Sequence, residues 1–294
     1  MKKGITFWML TISIFLALVV LLGSLLLIDW AAFGNTPFSE RNEGRAAVRE
    51  RERRIDELVK RLDEERQIND DVEEKFNRLI YLRALSTSLS IDDWSTINII
   101  ASSGWAHYFY RIGEEKDVTL TNGWGVTFRI LGFNHDKDAY GNVLPITFGL
   151  RGILPMQMYM DDGTIGWHDS YMRSWLNAQV FNILPTDLRE IIQPAVKNST
   201  NSEKTIDNLF LFALAEVIPN PDWFGFNSAT YSYEGRIYQF WKENDPEYVG
   251  SSWWLRTSPP GSTIFMSIQN GIPTTNQGEH VRGVSFGFAI GGAA

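Results

Sequence analysis

The chain has 294 residues, a formal net charge of −8 and no cysteine. Its length allows one or two domains, and a hydrophobic content of 44% is enough for a sizeable core. The acidic balance argues against nucleic acid as a partner, because surfaces that bind phosphate backbones carry a basic excess. Without cysteine the chain has no disulfides, zinc ribbons or thiol catalysis. Any metal or acid–base chemistry would depend on carboxylates and four histidines.

The first segment is apolar. No charged residue interrupts the 24 residues from Ile5 to Ile28, and about 20 apolar residues suffice to cross a bilayer as a helix. Two lysines precede the run, so the positive-inside rule places the N-terminus in the cytoplasm. Trp8 and Trp30 would lie at the two interfaces. We predict a transmembrane anchor over residues 1–30 that binds membrane lipid, with a cleaved signal peptide as the alternative.

The second segment, residues 31–89, is rich in charged residues. From Arg45 to about Leu85 it contains neither Gly nor Pro, and its composition favours one helix of about 40 residues, roughly 60 Å long. An interrupted heptad pattern includes Val48, Ile55 and Leu62. This predicts a helical stalk, either solvated and packed on its own body or paired as a coiled coil in a homodimer or homotrimer.

The third segment, residues 90–294, predicts a body of short strands and few helices. Helices are expected over residues 90–104, 170–178 and 186–192. Strands are expected over residues 118–120, 125–131, 146–150, 208–215, 253–256, 263–268 and 284–290. Asn-Gly pairs at 122–123 and 270–271 indicate tight turns. Because helices and strands do not alternate regularly, the pattern favours an α+β fold with a mostly antiparallel sheet.

Several motifs of the body occur in a familiar order. They are Trp94–Gly104, Ile112–Lys116, Phe128–Asp136, Ser170–Asn177, Leu184-Pro185, Leu209–Glu216, Trp253–Ser258 and Gly283–Phe288. Over about residues 90–290 this order resembles domain-of-unknown-function family 6273, found in bacterial surface and secreted proteins. The family implies no established activity. More distantly, the closing Trp-Trp-Leu-Arg and Gly-Val-Ser-Phe-Gly-Phe motifs resemble the C-type-lectin-like and formylglycine-generating-enzyme-like fold, which implies a C-type-lectin-like body.

The strongest local pattern is Trp253-Trp254-Leu255-Arg256. Neighbouring side chains on a strand point to opposite faces, so Trp254 and Arg256 share one. One interpretation buries both, with Arg256 paired to Glu216 in a second layer. The other exposes them as an aromatic and guanidinium platform for a sugar or a protein.

The loop from Pro219 to Tyr233 is the second candidate for ligand binding. It combines aromatic residues with Gly, Ser, Asn and Pro, a composition typical of adaptable contact surfaces. Its aromatic residues could equally cover a sheet. The candidate ligand-binding residues in this loop are Trp223, Phe226, Tyr231 and Tyr233.

The polar cluster that contains Asp136 and Asp138 is the candidate for a metal. Two carboxylates followed by Gly141 could hold calcium, and the alternative is a polar turn after a strand. The tripeptide motifs of calcium-dependent lectins do not occur. No cofactor is expected apart from this calcium alternative, and no residue is assigned a catalytic role.

The order of anchor, spacer and aromatic-rich body predicts a ligand-binding or adhesion module of a bacterial cell surface. It would be a single-pass plasma-membrane protein with an extracytoplasmic C-terminal domain that binds a glycan or a protein. Two alternatives are a divergent metal-dependent enzyme of the same superfold and a structural subunit of an envelope complex.

Overall fold

The computed structural model describes residues 49–67, 70–71, 74–75, 88–163, 166–199, 203–244 and 252–291. The chain separates into two compact units, Met1–Glu74 and Lys75–Ala294. The predicted membrane span, with Ile5, Trp8, Ile28 and Trp30, lies outside the described residues.

Within the described residues no helix combines the length and the apolar character that a membrane crossing requires. This finding corrects two predictions, the transmembrane anchor and the single-pass plasma-membrane protein with an extracytoplasmic C-terminal domain. The structure supports neither.

The prediction of a long stalk is also wrong. Helix α1 covers residues 49–67, which is roughly 28 Å at 1.5 Å per residue. Residues 70–71 and 74–75 are helical as well, but a continuous coiled-coil helix of about 40 residues is not seen in the described part of the chain. Oppositely charged residues one turn apart form ion pairs along helix α1, such as Arg61 with Glu57 at 2.9 Å.

The second unit contains short helices. They are α2 (Trp94–Ser102), α3 (Ala106–Phe109), α4 (Tyr171–Trp175), α5 (Phe181–Ile183), α6 (Thr186–Arg189), α7 (Leu214–Val217) and α8 (Ser228–Tyr231). Asp93 caps α2 by accepting from the Thr96 amide at 2.7 Å, as short polar residues do at helix starts. A π-helical turn, Leu176–Val180, joins α4 to α5.

The strands form two five-stranded sheets and a ribbon. They are β1 (Glu115–Thr119), β2 (Gly125–Phe133), β3 (Ile146–Leu150), β4 (Gln157–Tyr159), β5 (Ile192–Gln193), β6 (Ala195–Asn198), β7 (Lys204–Asp207), β8 (Ser252–Trp254), β9 (Ile264–Gln269), β10 (Ile272–Gln277), β11 (Val281–Gly283) and β12 (Gly287–Ile290). The first sheet has the order β1-β2-β3-β12-β5, the second β10-β9-β8-β11-β4, and the ribbon pairs β6 with β7. In the described residues these strands pair antiparallel, except β11 with β8, which pair in parallel.

The body therefore mixes short helices with largely antiparallel sheets, whereas the predicted fold class was wrong in adding an anchor and a stalk. The Asn270-Gly271 turn between β9 and β10 is confirmed. Both residues have positive φ, 50° and 78°, as a two-residue hairpin turn of type I′ requires. The C-type-lectin-like fold stays a prediction.

Two apolar clusters share the middle of this unit. The first contains Trp94, Phe148 and Phe288, with Trp94 and Phe148 edge to face at 5.5 Å; the second contains Phe210, Phe212 and Trp253. The extended segment Leu209–Ala213 runs between them. Its leucines 209 and 211 belong to the first cluster and its phenylalanines 210 and 212 to the second.

Candidate functional site

The two adjacent tryptophans of β8 lie on opposite faces, as strand geometry predicts. Trp253 packs edge to face with Phe212 at 6.3 Å in the second cluster. Trp254 belongs to the first cluster, and its Nε1 donates to the Met158 carbonyl at 2.8 Å. Both side chains are fully buried. Trp254 therefore forms no exposed platform.

Arg256 is fully buried as well, and its guanidinium pairs with Glu216. Nη1 donates to Glu216 Oε2 at 2.6 Å, and Nη2 donates to Oε1 at 2.9 Å. The remaining donors reach the carbonyls of Asn198 (3.0 Å), Leu211 (2.7 Å) and Glu234 (2.8 Å). The geometry is the bidentate fork typical of arginine and carboxylate. It agrees with the buried interpretation of Arg256 rather than with an exposed ligand platform.

The backbone of α7 and its surroundings position Glu216. Its Oε2 accepts from the amide of Ala213 at 3.0 Å, so the carboxylate also caps the helix that carries it. Burial alone would raise the pKa of Glu216, but Arg256 and Lys197 outweigh burial and lower it from 4.5 to about 2. Glu216 is therefore ionised at neutral pH.

A second cation, Lys197 on β6, completes the network. Its side chain is 1% exposed. Nζ lies 2.5 Å from Asp136 Oδ1, 2.7 Å from the Tyr238 hydroxyl and 3.2 Å from Glu216 Oε1. The aromatic ring of Phe210 lies 3.7 Å from Nζ, measured to its centroid. Sequence reasoning missed Lys197 because 61 residues separate it from Asp136, and no local pattern marks that contact.

Asp136 and Asp138, the predicted calcium ligands, serve different purposes. Asp136 faces inward, where its Oδ2 accepts from Tyr238 at 2.9 Å and from Thr147 at 2.7 Å. Asp138 stays in the turn and accepts from the amides of Tyr140 and Asn142 at 2.9 and 2.8 Å. Asp138 therefore agrees with the alternative interpretation, a polar turn after a strand, rather than with a calcium ligand. In the described residues no three His, Asp or Glu side chains converge as metal ligands would.

The ring of His135 stacks on Tyr238, with centroids 4.0 Å apart and planes 27° apart. Burial lowers the pKa of His135, with Asp136 acting in the opposite direction. Burial also raises the pKa of Tyr238 well above its ordinary value, so its hydroxyl stays protonated as a donor. Tyr238 thus joins Asp136 to Lys197 through its hydroxyl.

The loop from Pro219 to Tyr233 divides into buried and displayed rings. Tyr231 is buried, and Phe226 is half-buried against the second cluster. Tyr233 is half-buried, and its carbonyl accepts from Asn198 Nδ2 at 2.9 Å. Trp223 is 79% exposed and Phe224 is 40% exposed. Trp223 is the only exposed tryptophan in the described ranges. Phe224 adjoins Trp223 in this loop but was not among the predicted ligand-binding residues.

Backbone hydrogen bonds hold Trp223 in place. It lies in a 3₁₀ turn, Pro221–Phe224, which ends at Gly225 with a φ of 81°. The Trp223 amide donates to the Asn220 carbonyl at 3.2 Å, and the Gly225 amide donates to the Asp222 carbonyl at 3.0 Å. The Asp222 carboxylate accepts from the Ser228 amide at 3.1 Å, and the Ser228 side chain, followed by this amide, lowers the pKa of Asp222. The exposed indole is thus presented by an ordered turn.

Comparison with known proteins gives a family and no close relative. The family model described as a domain of unknown function (DUF6273) matches residues 153–283. No curated protein and no solved structure matches the chain significantly. The matched stretch includes Lys197, Glu216, Arg256 and the displayed loop, whereas Asp136 precedes it.

Proposed function

We propose that this chain, which carries a domain of the DUF6273 family over residues 153–283, is a ligand-binding module that contacts carbohydrate through Trp223 and Phe224. The observation that carries the proposal is the 79% exposure of Trp223 on an ordered turn. Tryptophan dominates binding energies at contact surfaces because it offers a large rigid area at a small entropic cost.

The area on offer is large enough to matter. A tryptophan can bury about 200 Å², so an indole exposed to this degree offers about 150 Å² to a ligand. At 25 cal/mol per Å² its complete coverage contributes at most about 4 kcal/mol, before the entropic costs of association are subtracted. Such a contribution suits a ligand of modest affinity bound by stacking.

The neighbours of Trp223 favour carbohydrate over an apolar protein surface. Asn220, Asp222 and Asn227 are exposed in the same loop. A sugar presents an apolar C–H face for the indole and hydroxyls for amide and carboxylate groups at the edge. Phe224 extends the apolar contact.

The buried network favours binding over catalysis. Asp136, Lys197, Glu216 and Arg256 are satisfied by one another, and each is buried. Groups that act on a substrate must reach it, and these four lie in the interior.

A glycan array probed with the full chain tests the proposal. We expect binding to at least one glycan class, and isothermal titration should then show at least a tenfold weaker affinity for Trp223→Ala. Tyr140→Ala is the matched control, because Tyr140 is also exposed but lies outside the loop, and its affinity should equal that of the parent. Absence of glycan binding, or an equal loss in both variants, would contradict the proposal.

A further inference from the structure

A lysine and an aspartate meet in the interior of the second unit in a geometry that suits a reaction. Lys197 Nζ lies 2.5 Å from Asp136 Oδ1, and the carboxyl carbon is one bond further. The side chains are 1% and 6% exposed, so bulk water does not surround them. Proximity of this kind converts a slow bimolecular reaction into an intramolecular one.

The other oxygen of Asp136 faces two hydroxyl donors. Tyr238 donates to Oδ2 at 2.9 Å and Thr147 donates at 2.7 Å. Donors placed on one carboxyl oxygen stabilise the negative charge that this oxygen gains when a nucleophile adds to the carbon. One oxygen of the Asp136 carboxyl therefore contacts the amine, and the other accepts from two hydroxyl donors.

A third group holds the lysine nitrogen. Glu216 Oε1 lies 3.2 Å from Lys197 Nζ, and Arg256 fixes the same carboxylate through two hydrogen bonds. The ionised carboxylate accepts a hydrogen bond from Nζ, so it keeps the nitrogen beside the Asp136 carboxyl.

We infer that Lys197 and Asp136 condense in the folded chain to a covalent amide bond between their side chains, with release of one water molecule. One proton passes from Nζ to Oδ1 along their hydrogen bond, which leaves a neutral amine and a neutral acid. The amine lone pair then attacks the carboxyl carbon, and Oδ2 becomes the oxyanion held by Tyr238 and Thr147. A second proton passes from Nζ to Oδ1 along the same contact, and the C–Oδ1 bond breaks as water leaves.

The reaction balances without any other reactant. One ammonium and one carboxylate become one amide and one water, so the net charge of the chain is unchanged. The product also removes a buried cation and a buried anion, which are costly to hold in a low-dielectric interior. The cross-link would tie β6 to the loop after β2 and close a loop of 61 residues.

Intact-mass spectrometry of the denatured full chain tests the inference. The mass should lie below the sequence mass by one water, and a digest should contain one peptide pair joined through Lys197 and Asp136. Since cyclisation at Asp162-Gly163 also releases one water, the joined pair identifies the bond. A wild-type mass equal to the sequence mass, or a loss of water without that pair, overturns the inference whether or not any variant folds.

Two lysine variants provide the matched comparison. Lys197→Arg should restore the full mass, whereas Lys137→Arg, at an exposed neighbour of Asp136, should keep the loss of water. Glu216→Gln should slow the reaction, so that freshly purified protein contains at least a tenfold larger share of unlinked chain than the parent. Persistence of the water loss in Lys197→Arg would overturn the inference.

Discussion

Replacement of Arg256 by methionine removes the guanidinium but keeps a side chain of similar length. The variant leaves the buried Glu216 carboxylate without its two shortest hydrogen bonds. It also removes the donors to the carbonyls of Asn198, Leu211 and Glu234. Loss of one partner of a buried ion pair typically costs about 3–5 kcal/mol, because an uncompensated charge stays in the interior.

A second route gives a similar magnitude. The pKa of Glu216 falls from 4.5 to about 2 in the folded chain, and one pKa unit corresponds to roughly 1.4 kcal/mol. The carboxylate environment therefore contributes about 3 kcal/mol at neutral pH. Since Arg256 has the largest effect among the groups that lower this pKa, most of this contribution should disappear in Arg256→Met.

Urea unfolding at pH 7, followed by tryptophan fluorescence, measures the effect. With a slope of about 2–3 kcal/mol per molar for a body of this size, the midpoint should fall by about 1–2 M. Arg111→Met is the control, because Arg111 is exposed and surface substitutions usually change stability by less than about 0.5 kcal/mol. If Arg256→Met costs no more than Arg111→Met, the buried pair does not stabilise the fold as argued.

Two further predictions concern acid and packing. Because the pKa of Glu216 is lowered, its contribution to the free energy of unfolding should be fully present above pH 4.5 and be lost as the pH falls towards about 2. Arg256→Met should lose less stability than the parent between these pH values. Parallel curves of unfolding free energy against pH for the two proteins would contradict the role assigned to the Arg256–Glu216 pair. Gly283→Ala should cost about 1–3 kcal/mol or more, since a Cβ there would lie 2.6 Å from the Ser252 carbonyl and 2.8 Å from Ile153. The control is Gly125→Ala, whose added Cβ meets no atom within 4 Å and whose φ is not positive, so it should cost clearly less in urea unfolding.

Local sequence patterns predicted the elements whose conformation depends on a short segment alone. Strand β3 agrees with its predicted bounds, residues 146–150, because all its side chains are apolar or small. The apolar run 208–215 was predicted as a strand. It is almost wholly buried, but it makes only an isolated bridge, between Phe210 and Gly287, and helix α7 begins within it at Leu214.

The candidate site was only partly accessible to sequence reasoning. Alternation along residues 253–256 placed Trp254 and Arg256 on one face, and the interpretation that buried this face paired Arg256 with Glu216. Lys197 and Tyr238 could not be anticipated, because their partner Asp136 lies 61 and 102 residues away. Exposure of Trp223 was equally beyond reach, since the composition of its loop fits buried and displayed rings alike.

The alternation of Trp253 and Trp254 between two apolar clusters has a consequence for folding fidelity. A slip of β8 by one position would send each indole into the space shaped for the other, and would move the Arg256 guanidinium away from its carboxylate at the same time. A shifted register of β8 is therefore destabilised in two ways, by cavities in both apolar clusters and by a buried charge without its partner. Residues 253–256 thereby favour a single register of β8 in the second sheet over the shifted registers.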